Sequence, residues 1–136
     1  MKKVLFPLAA AALAALAGCV SYETRQSAYF LSEDGELAYV EFQHGDGEHV
    51  NYYYTGETRR EFKSKLRVRV EFGKEKFTAY QCLNVLPSGT MYRSDDEEWL
   101  YHAHGAIGTI YRQIPGDYRE VFQGVMQLTP KGARQR

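Results

Sequence analysis

The clearest pattern in the chain is an alternation over residues 65–72. Leu66, Val68, Val70 and Phe72 take one parity, and Lys65, Arg67, Arg69 and Glu71 take the other. A strand puts each set on its own face, whereas a helix would scatter the four apolar side chains around its axis. Residues 37–43 alternate in the same way, with Ala38, Val40 and Phe42 together. Residues 49–54 are β-rich and set Val50, Tyr52 and Tyr54 on one side, and residues 44–48 (His-Gly-Asp-Gly-Glu) read as the turn of a hairpin between these runs. Gly73-Lys74 predicts a tight turn into a strand over residues 76–86, which carries Phe77, Tyr80, Cys82 and Leu83 and stops at Pro87-Ser88-Gly89. Further strands are expected at 90–93, 99–104, 107–114 and within 121–128, separated by an acidic run at 94–98, by Gly105 and by Pro115-Gly116-Asp117. No stretch of the body keeps a 3.6-residue period, although a short helix fits the charged residues 57–65. The fold class is all-β: a small antiparallel sandwich or barrel of about seven to eight strands.

The first residues follow another logic. Lys2 and Lys3 precede an uncharged Ala- and Leu-rich stretch from 4 to 18, which is short for a bilayer crossing and fits the apolar region of a secretory leader. It ends in Leu16-Ala17-Gly18-Cys19, which resembles the lipobox of bacterial exported lipoproteins. The resemblance covers residues 1–19 only, and the body is not assigned to a family. It implies that diacylglycerol joins the Cys19 thiol, that cleavage precedes Cys19, and that further acylation, with palmitate for example, follows. Val20 stands where Asp would signal inner-membrane retention, so the resemblance implies an outer-membrane anchor facing the periplasm. The expected organisation is a cleaved signal peptide at 1–18, a lipidated N-terminus and short tether at 19–34, a β domain at 35–130 and a basic flexible tail at 131–136.

Composition narrows the function classes. The chain has 17 Lys+Arg against 17 Asp+Glu, and loss of Lys2 and Lys3 with the leader leaves 15 against 17, a net −2. No basic excess remains for nucleic acid, and none is expected as a partner. Hydrophobic residues make up 44% of the chain and aromatics 14%, which argues against disorder. With Cys19 lipidated, Cys82 has no disulfide partner and reads as a small buried hydrophobe.

Candidate chemistry is sparse. His102 and His104 share a face of one strand and are candidates to begin a zinc or copper site, with His44, His49, Asp95 or Glu97 as further ligands. The competing reading turns both to solvent, since Trp99, Tyr101 and Ala103 form the inner face. Arg59, Arg60, Lys63, Lys65, Arg67 and Arg69 form a cationic stripe suited to acidic partners or to protecting a strand edge. Tyr53 and its neighbours add amphipathic surface. An interaction surface is therefore expected at Tyr53, Arg67 and Arg69. There is no G-x-S-x-G, P-loop, C-x-x-C or H-E-x-x-H, so no catalytic residue and no cofactor are assigned. The run Asp95-Asp96-Glu97-Glu98 reads as a solvated turn.

The leading expectation is an envelope lipoprotein, anchored through Cys19, that serves as a structural or protein-interaction module toward an envelope protein or cell-wall polymer. One alternative is a periplasmic-side binding module or inhibitor for a glycan, lipid or metal. Tyr80-x-Cys82 with the Ser88-Gly89 turn resembles a feature of membrane-bound C-type lysozyme inhibitors, which are small β-barrel lipoproteins. The second body cysteine of their disulfide is missing here, and no inhibitory site is carried over. A further alternative is a metal-dependent enzyme using His102 and His104.

Overall fold

A computed structural model describes residues 20–85 and 89–127. The leader, Cys19 and residues 128–136 lie outside the described residues. Eight antiparallel strands close into one barrel in chain order: β1 Tyr22–Leu31, β2 Leu37–Thr55, β3 Thr58–Phe72, β4 Glu75–Val85, β5 Gly89–Arg93, β6 Trp99–His104, β7 Ile107–Ile114 and β8 Asp117–Met126. Among the described residues no helix is long and apolar enough to cross a membrane.

Inward positions supply the core. Ala28, Phe30, Ala38, Val40, Val68, Val70, Ala79 and Ile110 are buried together with Tyr92, Trp99, Tyr101 and Phe122. Each fully buried side chain of Val or Phe size contributes about 1.5–3 kcal/mol. Tyr101 is the hub: Phe30, Phe42 and Tyr92 pack round its ring at 6.3, 6.2 and 6.1 Å. Phe77 stacks on Trp99 at 4.8 Å, and the Arg112 guanidinium lies over the other ring system of that pair, 4.8 Å from the Trp99 centroid. Cys82 is a buried free thiol, and burial pushes its pKa up to about 11.

Three expectations are corrected. The tether at 19–34 is largely strand: β1 pairs with β2 from Tyr22↔Gly45 to Leu31↔Leu37, and Ala28 and Phe30 enter the core. The turn at 44–48 is instead the middle of β2, where the six residues from His44 to His49 oppose three on β3, Ser64 to Leu66. This bulge absorbs the extra residues, and the true hairpin turn sits between Thr55 and Thr58. The helix at 57–65 is part of β3, paired with β2 along its length. Past the bulge Asn51 is buried, Val50 and Tyr54 are exposed, and Tyr52 and Tyr53 are half-buried.

The barrel closes on itself narrowly. β1 pairs with β8 at Phe30↔Met126 and Leu31↔Val125, and the Gln127 amide donates to the Tyr29 carbonyl at 2.8 Å. Gly124 permits this approach, because a Cβ there would stand 2.9 Å from the Leu31 carbonyl carbon.

Candidate functional site

Two exterior regions stand out, one at each end of β1. The first surrounds Tyr22. Arg67 on β3 lays its guanidinium 3.6 Å from the Tyr22 ring centroid and 5.9 Å from that of Tyr80 on β4. Its Nε donates to Gln43 Oε1 at 2.6 Å, and Gln43 Nε2 donates to Thr24 Oγ1 at 3.0 Å. Gln43 is buried, and these partners satisfy its amide. His49 stacks on the far part of the group, 3.7 Å from the Tyr80 centroid and nearly parallel, with Nε2 3.1 Å from Asp95 Oδ1. Burial raises the Tyr22 hydroxyl above its ordinary pKa, with Tyr80 adding to the rise and Arg67 opposing it.

The chain is fastened here from its first described residues. Ser21 N–H donates to Asp46 Oδ1 and Asp46 N–H donates to the Ser21 carbonyl, each at 3.0 Å. The Tyr22 ring and the Val20 methyls sit over Gly45, where a Cβ would meet Tyr22 Cε2 at 2.8 Å. Gly45, one of the two glycines that suggest a turn in the sequence, thus makes room for the incoming chain.

The second region lies at the other end of β1. Leu37, Leu31, Val125 and Ile107 are consecutive in register across β2, β1, β8 and β7. All four point away from the core and are 49%, 38%, 52% and 40% exposed. With strands about 4.8 Å apart, they form an apolar row about 14 Å long. An open cleft of about 490 Å³ adjoins it, lined by Glu33, Asp34, Glu36 and β8 from Glu120 to Val125.

The expected interaction residues do not gather. Arg67 and Arg69 share the outer face of β3, but Arg67 is spent on Tyr22 and Gln43, and Arg69 lies 3.9 Å from Glu41. Tyr53 is half-buried on the extended β2–β3 arm against Phe62. His102 and His104 place their rings 5.8 Å apart, and among the described residues no third His, Cys, Asp or Glu joins them as a metal-binding group. His49 and Asp95, named as further ligands, pair with each other instead. In the acidic run, Ser94 Oγ donates to Asp96 Oδ1 at 2.6 Å and the Glu98 amide donates at 3.0 Å, which holds the Asp96 carboxyl below its ordinary pKa.

Residue-type searching overlooks Tyr22, Gln43 and the apolar row. For the row a signal existed: Leu37 is apolar at the parity opposite to Ala38, Val40 and Phe42. Comparison with known protein families, characterised proteins and solved structures finds no match.

Proposed function

We propose that the chain is a lipid-anchored envelope protein whose barrel serves as a protein-interaction module, held at the periplasmic face of the outer membrane through Cys19. The observation that carries this reading is the fastening of Val20, Ser21 and Tyr22 to β2 directly after the lipobox-like cysteine. A lipid on Cys19 would leave at most one residue of slack, so the barrel would sit at the membrane surface. Each buried acyl methylene contributes about 0.8 kcal/mol, and two or three chains make a durable anchor. Confinement to a thin layer raises the barrel's effective concentration toward a neighbour.

The alternative of a ligand held inside the barrel has less support, because Phe30, Tyr101, Ile110 and the valines fill the interior. The metal-dependent alternative lacks a third ligand at His102 and His104 among the described residues. The outer face of β3, with Lys65, Arg67, Arg69 and Glu71, suits water and polar partners and not a lipid-facing band.

The test is fractionation and intact mass of the protein from its host, with Cys19→Ser alongside. The reading expects acyl mass on a chain beginning at Cys19, envelope-bound wild type, and a mutant that is released or left unprocessed. A mature chain without lipid, free in the periplasm, contradicts it.

A further inference from the structure

The narrow closure of the barrel leaves a strand edge uncovered. After Leu31, β1 turns away: the Ser32 amide donates to the Glu36 carbonyl at 2.9 Å and Ser32 Oγ accepts from the Glu36 amide at 3.0 Å. Were β1 to continue straight, its next residues would lie beside β8 before Val125. Among the described residues no strand pairs with residues 117–124 on the side of β8 away from β7. The open cleft runs along this edge, next to the row of Leu37, Leu31, Val125 and Ile107.

Its charge is of one sign. Glu33, Asp34, Glu36 and Glu120 line it, with no Lys or Arg among the lining residues. None of the four carboxylates is in an ion pair among the described residues. Unpaired main-chain groups, an apolar strip and uncompensated negative charge are what strand addition by a basic segment requires. A second copy meeting this edge would set one acidic rim against another.

We propose that this seam binds an extended, cationic segment of a partner protein, which adds as a strand to β8. Where it meets the end of β1, its apolar side chains pack on Leu31 and Val125, and its Lys or Arg side chains reach the four carboxylates. The inference deepens the reading of the barrel as a protein-interaction module but does not need lipid on Cys19. The seam lies about 30 Å along β1 from Tyr22, so the partner approaches from the side away from the anchor.

The test uses the full mature chain in detergent micelles and three synthetic probes: an alternating Lys-Val decapeptide, its Glu-Val counterpart, and the Lys-Val peptide N-methylated on one edge. The Lys-Val peptide should bind and slow amide exchange within residues 117–124. The other two should bind at least about tenfold more weakly. The triple change Glu33→Lys, Asp34→Lys and Glu36→Lys should cost a similar factor. If that variant misfolds, Glu120→Gln and added salt on the wild type should each weaken binding in its place. Equal binding of the Lys-Val and Glu-Val probes, protection outside β8, no binding, or self-association through this edge would each overturn the proposal. Acyl mass at Cys19 is read from the same preparation. Its absence counts against the anchor alone, and failed peptide binding counts against the seam alone.

Discussion

At its first residues β1 is gripped by side chains from three other strands, while at its last it is held to β8 by a few main-chain bonds and faces water with leucine. Around Tyr22, Arg67, Gln43 and Asp46 turn hydrogen bonds and a stacked cation onto the chain itself. Around Leu31, four apolar side chains stay 38–52% exposed, and four carboxylates have no ion-pair partner among the described residues. The difference teaches where to look for function in a barrel whose interior is full. A surface whose polar groups are satisfied internally is a fastening, and one left unsatisfied is available for a partner.

The largest effect is expected at the weaker end. Gly124→Val would drive a side chain to within 2.7 Å of Phe122 Cζ and 2.9 Å of the Leu31 carbonyl carbon. A loss of about 3 kcal/mol in denaturant unfolding is expected, with the seam opening before the Tyr22 group. A second perturbation reaches the core that both ends share. Burial pushes Tyr92 up to about 12 from an unfolded value of 10.0, and Cys82 up to about 11 from 9.0. The neutral form is favoured in the folded state, so the stability is fully present below pH 9. It declines as the unfolded chain loses these protons and is gone above the folded values. Unfolding in urea should therefore fall by about 2 kcal/mol between pH 9 and about pH 10.5, with both ends losing exchange protection together.

Arg67→Ala acts on the strong end. It removes the cation from between Tyr22 and Tyr80 and the donor from Gln43. A drop of about 2 kcal/mol is expected in thermal unfolding, and Arg67→Lys should not restore it, because an ammonium cannot stack flat and donate sideways at once. The smallest change is Asp46→Ala. It deletes the acceptor for the Ser21 amide but leaves the main-chain bond from Asp46 to Ser21. Global stability should move by less than about 1 kcal/mol, while exchange at Ser21 quickens and the seam is untouched.

The alternation at 65–72 is legible because Val68 and Val70 really are buried on one face. Leu66 shares their parity but is 38% exposed, and it lies where β3 has left β4 after Arg67↔Tyr80. β1 escapes notice because residues 23–27 are polar and exposed, so its strand character rests on Ala28 and Phe30 alone. Gly45 and Gly47 look like a turn, whereas Gly45 clears space for a tyrosine that approaches from a distant part of the chain. The shared face of Arg67 and Arg69 follows from parity. That Tyr22 occupies Arg67 is a tertiary fact, absent from any local window. The apolar row exists only in the register of four strands, two of them from opposite ends of the barrel.

Residue-resolved amide exchange on the intact mature chain in micelles tests the contrast most directly. The account predicts that the Ser21 and Asp46 amides, bonded to each other's residues, exchange as slowly as the neighbouring amides of β2. It also predicts that the amides of residues 117–124 facing away from β7 exchange freely until a cationic strand is supplied. Fast exchange at Ser21 and Asp46 together with a protected outer edge of β8 would contradict it.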